Sequence, residues 1–148
     1  MKCVIQRVKS ASIVINGKFG GEIGAGLVVF AAYCDTDDEA VINFCVEKTA
    51  NLRIFDDGDG KLNNSVLDVG GSILLVSNFT LYGDTQKGRR PSFVKSSKPE
   101  ISMPLYEKTV RKFKELFPDT VCGEFGADMQ ISLVNDGPVT IIVEKENV

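Results

Sequence analysis

Ser10-Ala11-Ser12-Ile13-Val14-Ile15-Asn16-Gly17-Lys18-Phe19-Gly20-Gly21-Glu22-Ile23 is the stretch that decides the fold. Small and polar residues alternate at first, and a β-branched run follows, the composition of a half-buried strand. Asn16-Gly17 is the dipeptide a type I′ hairpin turn favours, because both central residues need positive φ. Lys18–Ile23 is then the returning strand. Cys3–Val8 reads as β on the N-terminal side. On the other side Gly24, Gly26 and the run Leu27–Ala32 predict a turn and a strand buried on both faces.

Helical signals interrupt this β pattern twice. Thr36-Asp37-Asp38-Glu39 has capping-box spacing, and Val41, Phe44, Cys45 and Leu52 recur at near-helical intervals, which predicts a helix over about 37–51. Tyr106, Val110, Phe113 and Phe117 share one helical face and predict a second over about 102–117. Leu52–Phe55, Ser72–Ser77, Val121–Phe125, Met129–Asn135 and Val139–Glu144 read as strands. Asp56-Asp57-Gly58-Asp59-Gly60 looks like a calcium loop, but the closing glutamate and the following helix are missing, so a plain turn is expected. The expected fold class is α+β: a mostly antiparallel, barrel-like sheet with two packed helices, in a single domain over 1–148.

Composition narrows the function. The chain has 148 residues, 43% hydrophobic and 25% charged, enough for one proper core. No apolar run reaches the ~18 residues of a membrane span, and the N-terminus lacks an export signal, so no membrane partner and a cytoplasmic location are expected. Cys3, Cys34, Cys45 and Cys122 are scattered, which points to reduced, mostly packed thiols, with no metal site and no cofactor expected. There is no histidine, which excludes a Ser-His-Asp triad, a Cys-His dyad and every His-ligated metal. Any hydrolysis must use Lys, carboxylates, hydroxyls, backbone donors or the substrate itself.

Two short segments carry candidate chemistry. Ser77-Asn78-Phe79-Thr80-Leu81 exposes hydroxyls and an aromatic ring where a strand runs out. Asn135-Asp136-Gly137-Pro138-Val139-Thr140 places a Gly-Pro bond between strands, where proline cuts the trans preference to roughly 0.5–1 kcal/mol and brings a cis bond within reach. An ordinary trans Gly-Pro turn is the alternative. Thr80 has three readings: a residue capping a strand end, a nucleophile short of a base, or a hydrogen-bond donor that joins the amides of Phe79 and Thr80 around an oxyanion. The next loop carries Lys87, Arg89 and Arg90 between Tyr82 and Phe93. It reads either as a solvated loop or as a phosphate clamp whose aromatic flanks stack on a base. A net charge of −3 argues against indiscriminate coating of nucleic acid but not against a local basic patch.

These segments resemble, in order and at similar spacing, those of the D-aminoacyl-tRNA deacylases. Gln6-Arg7-Val8, Asn51-Leu52-Arg53-Ile54-Phe55, Lys87-Gly88-Arg89-Arg90-Pro91-Ser92-Phe93 and Phe125-Gly126-Ala127-Asp128-Met129 are similar to family segments, and the likeness runs from Met1 to about Glu144. The resemblance implies a homodimer with active sites at the subunit interface. It also implies a cis Gly137-Pro138 that reaches into the partner's pocket and excludes L side chains, with Arg7 supporting that motif. It places Ser77, Phe79 and Thr80 at the catalytic centre and implies tRNA binding through Lys87, Arg89, Arg90 and Phe93. The implied partner is a tRNA carrying a D-amino acid or glycine, with DNA not expected. The family usually has glutamine where this chain has Asn78, one methylene shorter, so no catalytic duty passes to Asn78. A non-catalytic RNA-binding module and a threonine-dependent D-peptide amidase remain the competing functions.

Overall fold

A computed structural model describes residues 1–147. β1 (Lys2–Ile15) is one unbroken strand where the sequence suggests two. It is the backbone of the fold because three strands pair with it. β2 (Lys18–Ile23) folds back on its second half through Asn16 and Gly17, at φ 49° and 77°, as the turn chemistry requires. β3 (Gly26–Ala32) pairs antiparallel with its first half, and β8 (Met129–Glu144) runs antiparallel along its whole other edge.

The sheet is mixed: with β6 (Ser72–Ser77) and β7 (Val121–Cys122) its order is β2-β1-β3-β6-β7, and β8 is added on β1. β6 lies parallel to β3, and β7 lies parallel to β6. Parallel neighbours need long crossovers, and here each crossover carries a helix. α1 (Glu39–Asn51) lies between β3 and β6, and α2 (Pro99–Leu116) between β6 and β7. The antiparallel pairs still predominate, as the sequence suggests. The sheet curls until β2 reaches β7, where a Cβ on Gly21 would lie 2.7 Å from Val121 Cγ1. Glycine permits that near-closure, and Gly21 also holds a φ of 141° that other residues avoid.

Two cores follow from the alternation of side chains along each strand. Cys3, Ile5, Leu27, Val29 and Ala31 face the helices and pack on Val41, Ile42, Cys45 and Phe113. Val8, Ile13, Val28, Leu74 and Val76 face into the curl. All four predicted stripe residues of α2 join the first core, and the helix begins at Pro99, about three residues earlier than its periodicity suggests, with proline at the position that tolerates it. The cap of α1 is Asp38, whose carboxylate accepts from Val41 N at 3.0 Å, and not Thr36. Asp37 turns inward instead, with its carboxylate 2.6 Å from the Met1 amino group.

Other differences have local causes. Leu52–Phe55 contributes only Phe55–Asp56 (β4), which pairs with an unforeseen strand, β5 (Leu62–Asn64). Between them Asp57 Oδ1 accepts from Asp59 N and Lys61 N, so the acidic segment is a self-capped turn. These two amides hold the Asp57 carboxyl below its usual range. The strand expected over Val121–Phe125 stops at Cys122, and the Tyr106 hydroxyl donates to Gly123 O at 2.6 Å just beyond it. All four cysteines carry free thiols, and the hydrogen bond that the Cys3 thiol donates to Cys45, together with burial, pushes it far above its ordinary value. Among the described residues no helix is long and apolar enough to cross a membrane.

Candidate active site

β6 ends at Ser77, and the chain then tightens into a 3₁₀ turn over Phe79–Tyr82. Asn78 is held at its entrance by its own amide, which donates to Ala31 O at 2.8 Å, and Leu81 N donates to Asn78 O at 3.3 Å. The Thr80 hydroxyl donates to Asn78 Oδ1 at 2.6 Å. A helical turn leaves its first amides without internal acceptors. Among the described residues no backbone acceptor is found for the amides of Phe79 and Thr80.

Ser77, Asn78 and Phe79 border a cleft of about 700 Å³ that opens between β6, the start of α2 and the segment leading into β8. Its floor is apolar, with Phe30, Val76 and Met129. Phe79, 58% exposed, meets Phe93 edge-on with ring centroids 5.2 Å apart, so the two form an aromatic wall. Tyr82 does not share that duty. It is buried, its hydroxyl finds no hydrogen-bond partner among the described residues, and the Lys2 ammonium lies 5.1 Å from its ring centroid. The expectation that Tyr82 stacks on a base is therefore corrected.

The basic loop is pinned at its neck. Asp84 and Ser92 exchange two backbone hydrogen bonds at 2.8 and 2.9 Å, so the residues between them project as a tip. Lys87, Arg89 and Arg90 are exposed on it, and among the described residues none is paired with a carboxylate.

The Gly-Pro segment is built differently from a turn between two strands. β8 passes through it without ending, and the register jumps from Val8↔Asn135 to Gln6↔Thr140. Asp136, Gly137, Pro138 and Val139 thus stand opposite Arg7 alone and must bulge away from β1. The Gly137-Pro138 bond is cis. The Asn135 amide clamps the base of the bulge, accepting from Val139 N at 2.9 Å and donating to Val139 O at 3.1 Å. Arg7, only 6% exposed, donates through Nε to Asp136 O and through Nη1 to Ile54 O, each at 2.8 Å. Its charge also lies 3.5 Å from Asp56 and 3.8 Å from Asp136.

The whole chain aligns with known proteins. The family model for D-Tyr-tRNA(Tyr) deacylase matches residues 4–144. The chain belongs to that family. Its relatives include the D-aminoacyl-tRNA deacylase of Shouchella clausii, 50% identical over 99% of this chain and 100% of that one. The D-aminoacyl-tRNA deacylase of Thermosipho africanus is 49% identical over 100% and 99%. A solved structure titled c-Myc DNA Unwinding Element Binding Protein superposes with a TM-score of 0.93 at 35% identity, covering 99% of this chain and 100% of the other. A probable eukaryotic D-amino acid tRNA deacylase shares the fold, with a TM-score of 0.81 at 17% identity and coverage of 96% and 97%. As a deacylase family member the chain is an enzyme, a hydrolase acting on ester bonds.

Within the single deacylase chain the two candidate segments stay apart. Asn78 is bonded to Ala31, which pairs with Cys3, and Arg7 lies further along the same strand. Two strand spacings across and four residues along, at about 4.8 and 3.4 Å each, separate them by on the order of 15 Å. Thr80, Gly137, Pro138 and Arg7 are accordingly not among the residues lining the cleft, whereas Ser77, Phe79 and Phe93 are. Phe30 and Phe125 line it without having been singled out as site residues. Phe30 is hidden in a uniformly apolar strand, while the Phe125–Met129 segment had marked itself by family resemblance alone.

Proposed function

We propose that this deacylase hydrolyses the ester joining a D-amino acid to tRNA, in the cytoplasm, as a homodimer formed from a single domain over 1–148. The observation that carries the reading is the Ser77–Thr80 turn at the mouth of an apolar cleft, in a chain half identical to D-aminoacyl-tRNA deacylases along its full length. Water attacks the ester carbonyl, and the amides of Phe79 and Thr80 receive the developing oxyanion. The carbon–oxygen bond to the terminal ribose then breaks, and the ribose oxygen leaves with the proton surrendered by water. No side-chain base is required, and the chain has no histidine to serve as one.

Selection of the D-form is assigned to the Gly137-Pro138 carbonyls. Mirror-image side chains bury equal area, so hydrophobic gain cannot separate them, and only directional exclusion can. Glycine, with no side chain to exclude, passes the same filter, so glycyl-tRNA is a substrate on this reading. The segment meets the cleft in the dimer, supplied by a second copy. Two features support that arrangement. The register keeps the segments apart within one protomer. A row of side chains, Ile142, Val4, Phe30 and Val76, also crosses the sheet into the cleft from Ile142, 64% exposed.

The exposed tip with Lys87, Arg89 and Arg90 binds tRNA phosphates, with Phe93 beside it for a base. The relative named for a DNA element raises duplex DNA as a competitor, but a single tip on a chain of net charge −3 suits a small footprint near a strand end better than a groove. The test is hydrolysis of matched D- and L-tyrosyl-tRNA by the purified protein, with duplex DNA added in a parallel series. Turnover of the D-form alone, insensitive to DNA, is expected. Equal rates on both, or none on either, refute the reading.

A further inference from the structure

Thr80 donates its only hydroxyl proton to Asn78, and that commitment has a chemical consequence. A threonine hydroxyl offers one proton and two lone pairs. At 2.6 Å the bond to Asn78 Oδ1 lies at the short end of the hydroxyl range. Both partners are anchored in the backbone, Asn78 through Ala31 and Leu81, and Thr80 through Gly83 N, which donates to Thr80 O at 2.9 Å. The proton is therefore committed to Asn78, and the lone pairs remain.

We propose that Asn78 is a positioning residue: by accepting the Thr80 proton it fixes Oγ1 as an acceptor that holds a hydrogen-bond donor, the attacking water, beside the ester carbon. Oxyanion donation then falls to the amides of Phe79 and Thr80, which have no other backbone partner among the described residues. Thr80 orients the water but takes no proton from it, since a threonine hydroxyl is too weak a base. The carboxamide of Asn78 does not touch the substrate; it acts through Thr80. This assignment rests on the deacylase reading above.

The test reads the cost of Thr80→Val in three backgrounds, by single-turnover hydrolysis of D-tyrosyl-tRNA with enzyme in excess. In the native background the loss is expected to be on the order of three- to tenfold, the worth of one neutral hydrogen bond. In Asn78→Ala the same change is expected to cost almost nothing further, because the hydroxyl is already free to rotate. In Asn78→Asp it is expected to cost as much as in the native background. A carboxylate oxygen still accepts the proton, and taking the ratio cancels any direct effect of the new charge. Asn78→Ser, too short for the same bond, repeats the alanine arm if circular dichroism shows that alanine unsettles the turn.

An equal Thr80→Val cost in all three backgrounds makes Asn78 a mere brace for the turn and overturns the proposal. So does loss of the effect in Asn78→Asp, which would make the amide nitrogen the contact. A native-background loss beyond about 10²-fold would return the hydroxyl to the oxyanion or to nucleophilic attack, and no loss would remove it from the reaction; either result also overturns it. If the unsubstituted protein leaves D-tyrosyl-tRNA intact, the functional reading falls first, and this proposal with it.

Discussion

Substituting Gly137 by alanine puts the exclusion mechanism under direct strain. An added Cβ would lie 2.7 Å from Val139 N, 2.8 Å from Val139 Cγ2 and 3.3 Å from the second terminal nitrogen of Arg7. Ordinary contact begins near 3.4 Å, so the backbone must yield by about 0.7 Å at a point where the nearest atom is itself backbone. The φ of 151° adds a penalty of about 1–3 kcal/mol for a residue with a side chain. The bulge is exposed and, among the described residues, is tied down by Arg7 and Asn135, so it shifts while the sheet persists. On the proposed reading this segment faces the substrate, where a displacement approaching 1 Å costs up to about 10² in rate. Gly137→Ala is therefore expected to remain folded, melt several degrees lower, and lose between tenfold and about 10² in D-tyrosyl-tRNA hydrolysis, with a smaller D-to-L ratio. Gly58→Ala, whose Cβ meets nothing within 4 Å, is the control and should change neither property. If Gly137→Ala keeps the native rate and selectivity, the carbonyls of this bulge are not the filter.

Three further outcomes follow from the geometry. Replacing Arg89 and Arg90 together by alanine should weaken tRNA binding and flatten its dependence on log salt by about 1.4–1.8, read from binding isotherms across salt; an unchanged slope assigns the tip to solubility. Arg7→Lys keeps the charge but cannot reach both Asp136 O and Ile54 O, so urea unfolding should show a loss of about 1.5–3 kcal/mol, with a parallel fall in D-specific hydrolysis. Tyr106→Phe removes the donor to Gly123 O and should lower stability by about 1–3 kcal/mol in the same assay while leaving the D-to-L ratio intact.

The parts of the fold that were legible in the sequence are those specified locally. Asn16-Gly17 dictates its turn, Lys18–Ile23 and Ser72–Ser77 are strands at the expected residues, and the Tyr106–Phe117 stripe finds the core it predicts. What escaped depends on partners far along the chain. Leu62–Asn64 is too short and polar to announce a strand, and becomes one only against Phe55 and Asp56. Tyr82 looked like an exposed flank of a basic loop, but the 3₁₀ turn after Ser77 rotates it into the protein. Gly137-Pro138 read as a turn between strands because its bulge is defined by the register of β1, more than a hundred residues away in sequence. The hydroxyl-rich segment was recognisable from residue types, but which way the Thr80 proton points was not.

The pairing of β1 with β8 also bears on how the protein is made. Lys2 is partnered by Glu144 and Ile15 by Met129, so one edge of β1 stays open until the residues of β8, far along the chain, have been made. Such an open edge invites pairing with the wrong neighbour, and the polar Lys2, Gln6 and Ser10 interrupt the apolar run along β1. Arg7 can reach Ile54 and Asp56 early, but its Nε lacks an acceptor until Asp136 arrives. A chain broken off before β8 would still carry the Ser77–Thr80 turn but would lack the bulge assigned to chiral selection. The two halves of the assigned chemistry therefore become available at widely separated moments of synthesis.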